Sequence, residues 1–86
     1  METHFVYIIH SVSHDIYYRG YSTQPKKRLQ QHNENESRYT KAKGPWALVF
    51  IQSLPTKRQA LIRERRLKKY SKAQIKQLLD SPKNEI

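Results

Sequence analysis

The chain has 86 residues, enough for one domain with a modest core and too few for two. It has no cysteine, which excludes a disulfide framework and a thiolate zinc site; its longest apolar runs, residues 5–9 and 46–51, fall far short of a bilayer span and no signal peptide precedes them, so a cytoplasmic protein without membrane contact is expected. Seventeen Lys and Arg against seven Asp and Glu give a formal charge of +10, a field that favours polyanions and, on composition alone, leaves DNA and RNA nearly level.

In chain order, Phe5-Val6-Tyr7-Ile8-Ile9 has the β-branched and aromatic composition of a strand, and Ser11 to Asp15 reads as a loop. Ile16 to Tyr21 is a second strand, most simply the other arm of an antiparallel hairpin in which Tyr7 and Tyr18 share a face. Ser22 or Thr23 caps a first helix with Pro25 in its opening turn and Lys26 to His32 as its body. Residues 33–45 are polar, lack periodicity and end in Gly44-Pro45, the loop expected to be most mobile. Trp46 to Ile51 is a third strand. Thr56 with Gln59 forms a capping box for a second helix reaching about Tyr70, and Ser71 with Gln74 repeats it for a third helix through about Leu79. A single domain over residues 1–80 is expected, with 81–86 a frayed tail.

Four groups of residues stand out chemically. At about 100° per residue, Ala60, Leu67 and Leu61 fall at roughly 0°, 340° and 100° and Glu64 at about 40°, inside that apolar stripe. A carboxylate there is costly unless a cation or good donors meet it, and between Ser37 and Leu79 it is the one acid among twelve Lys and Arg; the alternative is a helix-edge glutamate paired with Lys68. Arg28 and His32 lie one helical turn apart and can converge on one phosphate, or belong to a solvated basic face beside Lys26 and Lys27. Tyr7 and Tyr18 are strand tyrosines, commonly core residues with the hydroxyl at the rim. Gly20 ends a strand or permits a close backbone approach.

Taken together, His4-Phe5-Val6-Tyr7-Ile8-Ile9, Tyr17-Tyr18-Arg19-Gly20-Tyr21-Ser22 and Lys27-Arg28-Leu29-Gln30-Gln31-His32-Asn33 resemble the core of the GIY-YIG nuclease superfamily. Tyr39-Thr40-Lys41, Gly44-Pro45-Trp46-Ala47-Leu48-Val49 and Ala60-Leu61-Ile62-Arg63-Glu64-Arg65 continue the resemblance, which spans about residues 4–79 and looks closest to short stand-alone bacterial members related to the nuclease domain of the excision-repair protein UvrC. The signature letters are degenerate: Phe5-Val6-Tyr7 stands for Gly-Ile-Tyr and Tyr18-Arg19-Gly20 for Tyr-Ile-Gly.

The resemblance implies a small α/β (α+β) domain, a three-stranded antiparallel sheet flanked by helices in the order β-β-α-β-α-α, that hydrolyses phosphodiesters with one Mg²⁺ or Mn²⁺. By the same resemblance Glu64 is the metal ligand, Arg28 stabilises charge on the scissile phosphate with His32 nearby, and Tyr7 and Tyr18 position and deprotonate the attacking water. Lys41 assists at the nucleophile or holds backbone. Asn84 receives no role. Lys26, Lys27, Lys43, Arg63 and Arg66 are the expected nucleic-acid contacts. The function expected is a DNA endonuclease acting at branches, flaps or nicks in repair or recombination. Its alternative is a non-catalytic nucleic-acid-binding module or a nuclease subunit of a larger complex; an RNA or ribosome binder rests on charge alone and is less favoured.

Overall fold

Val6 and Ile8 point to one side of a strand and Tyr7 and Ile9 to the other, and all four are buried, so that strand must be central with something packed on each face. The computed structural model describes residues 2–86 and shows this arrangement. Its elements are β1 (His4–Ser11), β2 (Ile16–Ser22), α1 (Pro25–Asn33), β3 (Trp46–Leu54), α2 (Lys57–Leu67) and α3 (Lys72–Leu79). The sheet is antiparallel with strand order β2-β1-β3, and the β-β-α-β-α-α order expected from the resemblance is borne out.

The larger core joins Val6, Ile8 and Phe50 to Ala60 and Leu67 of α2 and to Ile75 and Leu78 of α3. The smaller one, on the opposite face, joins Tyr7, Ile9 and Trp46 to Leu29 of α1, with Tyr18 partly buried against it. In the β1–β2 ladder Tyr7 faces Gly20 and Ile9 faces Tyr18, so both tyrosines lie on the smaller-core face, as their parity suggests. Between β1 and β3 the register jumps: Ile8 faces Phe50 and Ile9 faces Leu48, which leaves Val49 as the extra residue of a β-bulge.

Local chemistry explains where helix boundaries differ from expectation. The N-cap of α1 is Gln24, with no side-chain cap; Ser22 Oγ instead accepts from the Gln24 amide at 2.8 Å, closing a turn just ahead of Pro25. Thr56 caps α2 by accepting from the Gln59 amide at 3.1 Å, without the reciprocal bond of a full box. That helix stops at Leu67 because Lys69 and Tyr70 donate to carbonyls only three residues back, tightening the chain into a turn. Leu61 stays 39% exposed, so the buried stripe of α2 is narrower than its sequence suggests. On α3 the Ser71–Gln74 capping box is complete.

In the segment expected to fray, Asn84 and Glu85 bond to β3. Asn84 Nδ2 donates to the bulged Val49 carbonyl at 2.9 Å and to Leu79 O at 3.0 Å, and Asn84 Oδ1 accepts from the Ile51 amide. Glu85 N donates to Ile51 O at 2.8 Å, and the Glu85 carboxylate accepts from Ser53. These bonds cover the outer edge of β3, whose amides and carbonyls would otherwise be open to another strand. The loop over residues 34–45 is likewise anchored: Asn33 Oδ1 accepts from Trp46 N at 2.6 Å, its Nδ2 donates to Trp46 O at 3.1 Å, and Ser11 Oγ donates to Lys43 O.

Candidate active site

Gly20 is required by what lies across the ladder from it. A Cβ built there would overlap Tyr7 Cζ, Cε1 and Oη, so the glycine lets the Tyr7 ring lie flat over β2. Tyr18 is the diagonal neighbour, with ring centroids 6.5 Å apart. Tyr7 is almost wholly buried, whereas Tyr18 is half-buried and lines an open groove.

His32 projects from α1 under both rings, 5.9 Å from Tyr7 and 5.0 Å from Tyr18 between centroids. It is fully buried, with Nε2 2.9 Å from Tyr7 Oη and Nδ1 2.7 Å from Thr40 Oγ1. Burial, then the charge of Arg28, brings its pKa down to about 4, so the ring is neutral near pH 7 and carries one N–H. Thr40 is also fully buried, and its hydroxyl has no other partner among the described residues. The neutral ring links the two buried hydroxyls, one ring nitrogen donating and the other accepting. Thr40 is thereby fixed in turn: its carbonyl accepts from Trp46 Nε1 at 3.3 Å.

Arg28, half-buried on α1, donates from Nη1 to Gln31 Oε1 at 2.6 Å, and its charge lowers the pKa of both tyrosines. Glu64, one turn on from buried Ala60 in α2, has a side chain 19% exposed and its Oε1 3.9 Å from Lys68 Nζ. The carboxylate charge raises both tyrosines. Desolvation is the largest influence on each: it pushes Tyr7 up to about 12 and raises Tyr18 as well. Two strands and two helices thus bring Arg28 and Glu64 within electrostatic reach of both tyrosines, and Arg28 within reach of His32.

The remaining candidates lie around this centre. Lys41 is exposed, next to buried Thr40. Lys43 places Nζ 4.6 Å over the Tyr39 ring, which itself lies 5.6 Å from Tyr18. Lys26, Lys27 and Arg66 are exposed, available to a large polyanion. Arg63 differs: it turns inward, with Nε donating to Gln52 Oε1 at 3.0 Å and Nη1 to Tyr70 Oη at 3.4 Å. Thr40 and Asn33, which fix the loop and the histidine, escape a reading by periodicity because they act across a non-repetitive segment; the signal available was a threonine between Tyr39 and Lys41 in that loop.

A lone carboxylate beside neutral oxygen donors suits a hard cation that keeps most of its own water, as Mg²⁺ does, and is a poor set for zinc. Among the described residues no group of three or more His, Cys, Asp or Glu could hold a metal ion.

A small α+β domain with two strand tyrosines, an arginine, a buried histidine and one glutamate gathered near a sheet edge is the architecture of a compact nuclease. The chain belongs to the GIY-YIG family: the GIY-YIG catalytic domain matches residues 3–77. It is 35% identical over 78 residues to a UPF0213 protein from Haloquadratum walsbyi, covering 90% of this chain and 86% of that one. A UPF0213 protein from Aeromonas hydrophila is 42% identical over 79 residues, 91% of this chain but 57% of that longer relative. The solution NMR structure of a UPF0213 protein from Bacillus halodurans superposes with a TM-score of 0.59 at 28% identity, covering 96% of this chain and 88% of that one. Family membership implies nuclease activity on nucleic acid. Among the described residues no helix is long and apolar enough to cross a membrane.

Proposed function

We propose that the protein is a divalent-metal-dependent endonuclease that hydrolyses DNA phosphodiester bonds, acting at structural features such as branches, flaps or nicks during repair or recombination. The observation that carries this reading is the convergence of Arg28 and Glu64 on two tyrosines that His32 touches from below. The preference for DNA rests on the resemblance to the UvrC nuclease domain, and the +10 charge supports a polyanionic substrate.

Tyr18, the more accessible tyrosine, is assigned to the attacking water. Its hydroxyl oxygen, once deprotonated, accepts the water proton as the water oxygen bonds to phosphorus and the bond to the leaving oxygen breaks. Tyr7 holds the adjacent position, its oxygen hydrogen-bonded to His32 Nε2. Arg28 provides fixed positive charge where negative charge grows on the phosphate. Exclusion of water around buried Tyr7 and His32 strengthens each of these interactions. A divalent cation held by Glu64 would supply Lewis acidity at the phosphate and cancel the carboxylate's upward push on the tyrosines.

Cleavage of labelled branched, nicked and linear DNA with Mg²⁺ or Mn²⁺ tests this. Metal-dependent cutting is expected for the wild type, with at least a hundredfold loss in Glu64→Ala and Arg28→Ala, on the order of removing one electrostatic stabiliser. Salt-sensitive binding to every substrate with no cutting would overturn it in favour of a binding module.

A further inference from the structure

Arg19 is a cation in an unusual place. It stands where the family signature has isoleucine and lies across the ladder from buried Ile8, on the opposite face of β2 from Tyr18. Nη1 donates to Tyr17 O at 3.3 Å and Nη2 to Tyr70 O at 3.1 Å, while Nε is buried with no partner. Among the described residues no carboxylate pairs with it: the ion pairs are His10 and Lys72 with Asp15, and Lys68 with Glu64. A half-buried guanidinium with no counter-charge is expensive unless an anion arrives from outside.

The space beside it is suited to one. A groove of about 420 Å³ is lined by Tyr17, Tyr18, Arg19, Tyr39 and Lys68. A second hollow of about 320 Å³ shares Tyr17, Arg19 and Tyr39 and continues to Lys72 and Ile75. The two form a trench along the open edge of β2. It begins at Tyr18 and at the lysine beside Glu64, and no acidic side chain lines it. Tyr39, 65% exposed, lines both parts of it.

We propose that this trench holds the nucleotide next to the bond that is cut, with Arg19 and Lys68 on its phosphate and Tyr39 against its sugar or base; the inference rests on the nuclease reading. Arg19 is then a positioning residue that sets the path of the strand past Tyr18. A merely structural Arg19 would instead tie β2 to the turn before α3 through Tyr70 O.

The two roles separate in binding and kinetics. The test compares wild type with Arg19→Ile, Lys68→Gln and Tyr39→Ala, the last two at exposed positions that do not endanger folding. On the DNA cut best by wild type, Arg19→Ile is expected to raise KM about tenfold with little change in kcat, the loss of one charged hydrogen-bond contact. The slope of log affinity against log salt should fall by about 0.9 for each lost phosphate contact. A single neutral methylphosphonate next to the cut bond should weaken wild type more than it weakens Arg19→Ile, in which Lys68 alone still meets that phosphate. An unchanged salt slope in Arg19→Ile and Lys68→Gln, with only thermal stability altered in the former, would overturn the proposal. Should wild type bind DNA without cutting it, the nuclease reading falls, while the salt slopes still decide whether the trench takes a phosphate.

Discussion

Acidification reaches His32 through a defined set of contacts. The ring is fully buried, and a second proton would have to enter at whichever ring nitrogen accepts a hydroxyl hydrogen from Thr40 or Tyr7. Burial and the nearby Arg28 charge oppose that proton and bring the pKa from 6.5 down to about 4. In the unfolded chain the same histidine protonates near 6.5, so between these values the unfolded state binds more protons and stability must fall as pH falls. The contribution is fully present above about pH 6.5 and is lost as pH drops through about 4; a shift of this size corresponds to about 3 kcal/mol. Asp15, held down to about 2 by His10 and Lys72, loses its contribution only at lower pH, outside this window. The assay is urea unfolding from pH 7.5 to 4, followed by fluorescence of Trp46, whose indole N–H donates to Thr40 O and which is the chain's single tryptophan. The stability advantage of wild type over His32→Gln, which cannot titrate, should shrink by about 3 kcal/mol across the window. Parallel curves for the two proteins, or a His32 ring resonance titrating near 6.5, would refute the reasoning.

Gly20→Ala should destabilise the fold by about 1–3 kcal/mol through overpacking against the Tyr7 ring and should abolish cleavage, as read by thermal melting and nuclease assay. Thr40→Val leaves His32 Nδ1 without its hydrogen-bond partner; a stability loss of about 1–3 kcal/mol is expected, with cutting reduced more than DNA affinity. Asn84→Ala removes the side-chain bonds to Val49, Leu79 and Ile51 and should cost about 1–3 kcal/mol, with faster aggregation in light scattering as the β3 edge opens.

Much of the fold was legible because its signals are local. Three apolar strand segments and two Ser/Thr caps three residues ahead of Gln located β1, β2, β3, α2 and α3. The start of α1 was not, since Ser22, Thr23 and Gln24 are three adjacent polar residues and only the turn closed by Ser22 decides among them. The role of Asn84 was hidden for a different reason: its partner carbonyl is presented by a bulge at Val49, and a bulge is set by pairing between strands rather than by either strand's composition. At the site, the residues that project from regular elements could be placed by face and spacing. Thr40 could not, because its contact to His32 depends on how an irregular loop folds back. The inward turn of Arg63 was not legible because the direction a side chain takes on a basic helix cannot be read from charge alone.

The alternation of β1 has an evolutionary consequence. Val6 and Ile8 hold the helical core while Tyr7 and Ile9 hold the site, so inserting or deleting one residue within this strand would exchange the two sets and lose stability and chemistry together. In β3 the bulge at Val49 already absorbs an added residue without disturbing either face. Length variation among related chains should therefore accumulate around β3 and the loops and be purged from β1, making that strand the ruler against which divergent members can be aligned.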